Sequence, residues 1–309
     1  MRSLAWPWSW PWAPAEAAQE EAWSSEALIH HLADQRVIEF APFGELHLPT
    51  LPTLHLGPIA VDLSPTKHVF FLLIAGALSA LSMIYVAYVS VKRDPGREAP
   101  SGFSNLIEAF VVFLRDEVAL RNIGHGGERY VPYVLTLFFF ILYANLLGLV
   151  PWGATATANI TVTGTLAFLS LVWIEASGFR ALGPRGYLRT IVFVPAGVPA
   201  WLTPVMVVLM VPVELLGKLA KPFALAVRLF ANMTAGHAVI LSLVGLILTY
   251  GALVQAPGLS AKAIGVVAIV GPILLGLFVM LLELFVAVLQ AFIFALLTAV
   301  FIGLIRHAH

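Results

Sequence analysis

The sequence lacks cysteine altogether and has few charged residues, and both shortages limit what the chain can do. Because none of the 309 residues is cysteine, disulfides, thiolate metal sites and thiol nucleophiles are excluded. Charged residues make up 11% of the chain, whereas an ordinary soluble domain carries about 25%. The 17 basic residues balance 17 acidic ones, so no net charge favours nucleic acid as a partner.

What the sequence has in abundance is apolar residues. They make up 60% of the chain, and the mean hydropathy is +0.92. A helix needs about 20 apolar residues to cross a hydrocarbon core about 30 Å thick. Five stretches are interpreted as crossings of the lipid bilayer: residues 69–91, 131–150, 163–177, 203–250 and 263–305. We therefore predict an all-α polytopic membrane protein with five membrane-crossing helices.

Lysine and arginine counts in the short loops predict the orientation. Residues 92–129 carry six, residues 179–189 carry three and residues 151–163 carry none. The odd-numbered crossings therefore end in the cytoplasm, as does the C-terminus. We expect residues 1–67 to form an extracytoplasmic N-terminal arm and residues 68–309 the membrane domain. Residues 6–14 of the arm, rich in Trp and Pro, are a poor apolar core for a signal peptide, although cleavage stays open.

Residues 103–118 predict a different kind of helix, lying at the cytoplasmic interface or dipping into it. Apolar residues recur there at helical spacing while the polar residues point elsewhere. The apolar set is Phe103, Leu106, Ile107, Phe110, Val111, Leu114 and Val118.

Two ionisable residues lie deep inside the last two apolar stretches. Arg228 lies about 25 residues into one, and Glu283 about 20 into the next. An arginine at the centre of a membrane helix costs about 2.5–3.5 kcal/mol on insertion scales, and it stays charged. Arg228 therefore needs a counter-charge or a water-filled cavity, which makes it the leading candidate for a functional residue.

Helical spacing adds polar neighbours. Asn232 lies one turn after Arg228, and Glu214 lies about 21 Å before it on nearly the same face. Gln290 lies about 10 Å beyond Glu283 on one face of the next element. His237 falls on the opposite face from Arg228, unless the helix bends. We expect a polar seam between these two antiparallel elements, of the kind that a proton path requires.

Structural alternatives exist for each of these neighbours. Glu283 and His237 could be a buried pair that only holds two helices together, and Glu214 could form a local ion pair with Lys218. Asn232 and Gln290 could be hydrogen-bonding contacts between helices, which is the commoner role of membrane amides.

Four motifs resemble those of one family, subunit a of the F-type rotary ATP synthase. The longest is residues 221–237, KPFALAVRLFANMTAGH, around Arg228. The others are LQAFIF at residues 289–294, NLLGLVP at 145–151 and ANITVT at 158–163. Together they cover nearly everything from residue 64 onward in the family's order. The resemblance implies a non-catalytic stator with two offset half-channels for protons beside a rotating ring of c subunits.

The resemblance also implies a role for each candidate. Arg228 would pair with the ring carboxylate, with Gln290 as its neighbour and Asn232 and Asn159 in its surroundings. His237 and Glu283 would line the outer half-channel, as an exchanged form of the family's usual pair, and Glu214 the cytoplasmic one. Residues 203–306 would be a tilted hairpin that faces the ring. Protons, the c-ring and the peripheral-stalk b subunits are the implied partners, and the inner membrane of a bacterium is the implied location.

Two other functional classes fit less well. A secondary transporter could use Arg228 to bind an anionic substrate, but the sequence shows no repeat between its halves. A membrane-embedded enzyme would need a nucleophile–base pair or a metal-ligand motif such as HExxH, and neither is present. We therefore expect no catalytic residue, metal or cofactor. The sequence leaves the ion open between H⁺ and Na⁺.

Overall fold

The structure, a computed structural model, is dominated by helices. It describes residues 35–40, 44–50, 54–56, 59–62, 64–92, 102–150, 153, 155–192, 199, 201–255 and 258–307. Within these ranges the helices are α1 (Lys67–Lys92), α2 (Gly102–Phe113), α3 (Arg121–Ile123), α4 (Val131–Leu149), α5 (Ile160–Ile191), α6 (Thr203–Gln255) and α7 (Leu259–Arg306). A π-helical segment, Leu114–Leu120, joins α2 to α3, and 3-10 turns lie at Gly127–Tyr130 and Ala156–Ala158.

Five of these helices, α1 and α4 to α7, are long and apolar enough to cross a membrane. Each overlaps one of the five predicted stretches, so the predicted fold class, an all-α polytopic membrane protein, is confirmed. At about 1.5 Å per residue, α6 and α7 are about 80 and 72 Å long, more than twice the thickness of a hydrocarbon core. Neither helix can therefore fit within the hydrocarbon core as a single straight, upright crossing.

The third crossing differs most from the sequence-based prediction. Residues 179–189, expected to be a loop, continue the helix α5, which is broken inside by Gly183 with φ 68° and ψ 174°. Pro184 follows directly. A residue before proline is pushed out of the helical region, and glycine adopts a positive φ without strain, so the break falls between these two residues. Two helical arms result, joined at an angle.

The described part of the N-terminal arm consists of two antiparallel hairpins. β1 (Val37–Phe40) pairs with β2 (Gly44–His47), and β3 (Leu54–Leu56) pairs with β4 (Ile59–Val61). Asp62 follows the second hairpin, where Ser64 donates hydrogen bonds to its carboxylate and Arg36 pairs with it. These contacts lower the pKa of Asp62 to about 2, with Ser64 as the main cause. The signal-peptide question concerns residues outside the described ranges.

The described residues group into two compact units. One contains Thr234–Glu283, the second half of α6 and the first half of α7. The other contains Asp34–Met233 and Leu284–His309. The buried core of the larger unit is built around α4 and the end of α7, and its largest fully buried side chains include Phe138, Phe139 and Phe294.

Residues 103–118, predicted to form an interfacial helix, are helical in α2 and the π-helical segment, but their apolar face is divided. Ile107, Leu114 and Val118 are buried in the core. Phe103 and Leu106, from the same predicted stripe, are 53% and 54% exposed. Exposed apolar side chains next to a crossing helix are typical of contact with lipid or with another subunit.

Candidate functional site

Arg228 lies on an exposed face of α6, near the middle of its length. The exposed positions about one turn away from it include two alanines, Ala224 and Ala231. Arg228 has no hydrogen-bond or ion-pair partner among the residues that the structure describes. A guanidinium at membrane depth cannot shed its charge, so this exposed and unpaired arginine requires a counter-charge from outside this part of the chain.

The two amide side chains among the candidate residues, Asn232 and Gln290, differ in their surroundings. Asn232, one turn beyond Arg228, is exposed, whereas Gln290 on α7 is only 5% exposed. Close to Gln290 in sequence, the backbone carbonyl of Ala287 accepts a hydrogen bond from Nδ2 of Asn145 at 3.2 Å. Oδ1 of Asn145 in turn accepts from the hydroxyl of Thr157 at 2.7 Å. This fully satisfied chain of hydrogen bonds ties α4 to α7 just ahead of Gln290.

Glu283 is the most deeply placed acid of the candidate set. It is 3% exposed, and neither of its carboxylate oxygens has a hydrogen-bond partner in the described part of the chain. The carboxylate lies against Gly236 of α6, where a Cβ atom would come within 1.9 Å of Oε1. Gly236 therefore makes room for Glu283, and His237 is the next residue along α6. A buried acid without a partner is costly, which favours a chemical role over a structural one.

A second polar region lies in the larger unit, at the end of α5 that carries Arg189. A cavity of about 900 Å³ opens there between α5, the first part of α6 and the end of α7. Glu214 lines it and has no ion-pair partner among the described residues. Lys218 lines the same cavity but pairs with Glu175 of α5, at 3.2 Å from Oε2. The alternative of a Glu214–Lys218 ion pair is therefore wrong for this structure.

Sequence reasoning missed the cluster around Lys218. Its side chain is only 12% exposed. Its ammonium also lies 3.4 Å from the hydroxyl of Thr190 and 4.6 Å from the centroid of the Tyr187 ring. The hydroxyl of Tyr187 donates to Glu175. The available signal was Glu175 itself, a lone acid that ends a long uncharged stretch.

The structure gives Asn159 a local role at the start of α5. Its Oδ1 accepts from the backbone N–H of Thr161 at 2.9 Å, which caps the helix. Its Nδ2 lies 3.3 Å from Nδ1 of His68, a buried residue of α1 that sequence reasoning did not single out. Asn159 therefore joins α5 to α1.

Comparison with known proteins identifies the family. The family described as ATP synthase A chain matches residues 69–303, about three quarters of the chain. The chain belongs to this family. The match includes all but the first two residues of α1, the whole of α2 to α6 and all but the end of α7, and therefore both polar regions described above.

Individual relatives agree with this assignment. "ATP synthase subunit a 2" of Chlorobaculum tepidum is 46% identical over 231 residues, which cover 75% of this chain and 62% of that protein. "ATP synthase subunit a" of Chloroherpeton thalassium is 47% identical, with 74% and 65% covered. The protein of the same name from Myxococcus xanthus is 46% identical, with 68% and 66% covered. The chain thus spans less than two thirds of the length of each of these curated relatives.

Proposed function

We propose that this chain is the ion-conducting stator of the membrane sector of a bacterial rotary ATP synthase, and that it has no catalytic site of its own. The names of the relatives, ATP synthase subunit a, support this assignment. Its partners would be a ring of c subunits, the peripheral-stalk b subunits and protons. The arginines of residues 179–189 support a cytoplasmic location for that end of α5. After two further crossings, the C-terminus would be cytoplasmic as well.

The observation that carries the proposal is the isolation of Arg228. It is exposed on a membrane helix and has no counter-charge in the described part of the chain. A carboxylate on a separate, moving subunit would supply that counter-charge at each pass. A fixed positive charge also repels protons, so Arg228 would separate two proton paths and would not itself conduct.

The two polar regions supply candidates for these two paths. Glu214 in the wall of the 900 Å³ cavity would serve the cytoplasmic half-channel. Glu283, buried against Gly236, would serve the outer half-channel together with His237. Both Glu283 and His237 can accept and release protons, as a relay requires. Asn232, Gln290 and Asn159 would provide the polar surroundings.

Replacing Arg228 tests the proposal. The complete ATP synthase is purified, reconstituted into lipid vesicles and assayed for ATP synthesis driven by an imposed proton gradient. Removing one partner of a buried charge pair costs about 3–5 kcal/mol, so Arg228→Ala should reduce synthesis by roughly two to four orders of magnitude. Arg228→Lys keeps the charge but loses the planar guanidinium group, which can donate two parallel hydrogen bonds to a carboxylate. This variant should also be severely impaired.

Lys262→Ala is the matched control, because it removes an exposed cation from α7. It should leave synthesis close to the wild-type rate. Subunit composition of each purified complex shows whether the chain is still assembled. Normal ATP synthesis by an assembled Arg228→Ala complex would refute the proposal, and a simultaneous loss of solute uptake would favour the transporter.

A further inference from the structure

The cluster around Lys218 contains more interactions than a surface ion pair needs. Glu175, Tyr187 and Thr190 all come from α5, and all three contact the single ammonium of Lys218 on α6. In a straight helix, Tyr187 would lie about 18 Å along the axis from Glu175, which is too far for a hydrogen bond. The break at Gly183 turns the second arm of α5 back, so that the Tyr187 hydroxyl reaches the Glu175 carboxylate.

The cluster determines which carboxylate forms an ion pair with the ammonium of Lys218. Glu214 lies one turn before Lys218 on α6, and glutamate four residues ahead of lysine is the favourable order for an ion pair within a helix. Local geometry therefore offers Glu214 as the partner. The structure instead directs Lys218 to Glu175, 43 residues away in sequence, and Glu214 has no partner in the described part of the chain.

We propose that Glu175 is a positioning residue that holds the Lys218 ammonium away from Glu214, so that Glu214 remains free to exchange protons in the cavity. A carboxylate that is paired with an ammonium favours its ionised form and accepts a proton less readily. Tyr187 and Thr190 strengthen the hold on Lys218. The inference rests on the proposed role of Glu214 in the cytoplasmic half-channel.

Removing the charge of Glu175 and removing the charge of Lys218 should affect the rate of proton flow differently. Glu175→Gln releases Lys218, which then pairs with Glu214 and slows proton transfer. The expected slowing is about tenfold, at the low end of what an opposite charge within about 4–6 Å does to a carboxylate. Lys218→Gln removes the cation itself, so proton flow should stay within about twofold of wild type. The double variant Glu175→Gln with Lys218→Gln should recover the rate that Glu175→Gln alone has lost.

The experiment measures ATP-driven acidification of vesicles that contain the complete complex, normalised to the amount of this chain in each preparation. Glu175→Asp, which keeps the charge, is the conservative control and should pump near the wild-type rate. A purely structural role for the ion pair predicts that the double variant is at least as impaired as Glu175→Gln. A wild-type rate for Glu175→Gln, or no recovery in the double variant, overturns the proposal.

Two further variants keep the outcome interpretable. Glu214→Gln tests the proposed half-channel by itself: if it pumps normally, the roles of both Glu214 and Glu175 fail, whereas the role of Arg228 is unaffected. If Glu175→Gln is lost from the complex, Thr190→Val takes its place, because it weakens the hold on Lys218 and leaves both charges present. It should slow pumping in a way that Lys218→Gln reverses, and an unchanged rate overturns the inference.

Discussion

Gly236 offers the sharpest test of the region around Glu283. A Cβ atom on Gly236 would lie 1.9 Å from Oε1 of Glu283 and 2.7 Å from its Cδ atom. Ordinary van der Waals contact begins at 3.4 Å, so in a Gly236→Ala chain the carboxylate must retreat by about 1.5 Å in a closely packed interior. The backbone of α6 cannot move as easily as the side chain, and Glu283 therefore takes most of the displacement.

The size of the effect follows from two opposing contributions. Overpacking of this kind costs about 1–3 kcal/mol, and alanine recovers about 1 kcal/mol because it is a better helix former than glycine. The difference between the two contributions is about 0–2 kcal/mol. Because the Cβ atom would lie 1.9 Å from Oε1, far inside contact distance, we expect the upper half of this range, which corresponds to roughly a five- to thirtyfold fall in proton flow at 1.4 kcal/mol per factor of ten.

The assay is ATP-driven acidification of vesicles that contain the reconstituted complex. Gly251→Ala is the matched control, because Gly251 lies on the same helix and a Cβ there meets no described atom within 4 Å. Glu283→Asp shortens the side chain by about 1.5 Å, one carbon–carbon bond. The double variant with Gly236→Ala and Glu283→Asp should therefore pump faster than Gly236→Ala alone. A wild-type rate for Gly236→Ala in an assembled complex would refute the steric argument.

Two further predictions concern packing and pH. A Cβ on Gly303 of α7 would come within 2.0 Å of the backbone carbonyl oxygen of Asn122. Gly303→Ala should therefore lower the free energy of unfolding by about 1–3 kcal/mol and with it the melting temperature of the complex. Gly276→Ala should leave the melting temperature unchanged, because a Cβ atom there meets no described atom within 4 Å. Equal melting temperatures of the two variants would contradict the argument that Gly303 has no room for a Cβ atom. The pKa of Asp62 is lowered from 3.8 to about 2, so its stabilising effect is complete above pH 3.8 and is lost as the pH falls through about 2. Asp62→Asn should speed amide hydrogen exchange in residues 59–70 at neutral pH, and this difference from the wild type should vanish near pH 2; equal exchange at neutral pH would show that the hydrogen bonds from Ser64 contribute nothing.

The crossings were predictable because hydropathy is a property of contiguous residues. The predicted stretch 131–150 differs from α4 by one residue, and the stretch 203–250 begins where α6 begins. The third crossing was less predictable, since Gly183 and Pro184 usually mark the end of a helix and here a second helical arm follows them directly. The hairpins of residues 37–61 were also missed, because this arm has no long periodic pattern.

The candidate residues were likewise only partly predictable from the sequence. Arg228 and Glu283 were identifiable from the sequence, because a charge inside a long apolar stretch is conspicuous by itself. Their exposure could not be predicted from the sequence. Arg228 lies at the surface of the chain, and Glu283 is buried with no described partner. Exposure depends on which helices pack on each face, which no local pattern specifies.

The sequence by itself determined that this chain crosses a membrane and carries an arginine, Arg228, deep inside a long apolar stretch. The motif around Arg228 also determined the family, since the residues that carry it are contiguous. Only the tertiary structure decided which carboxylate pairs with Lys218 and where Glu283 finds space. Glu175 is remote from Lys218 in sequence, and Gly236 is remote from Glu283, so each pairing depends on how separate helices pack. Local spacing favoured Glu214 for Lys218, and the bend at Gly183 selected Glu175 instead.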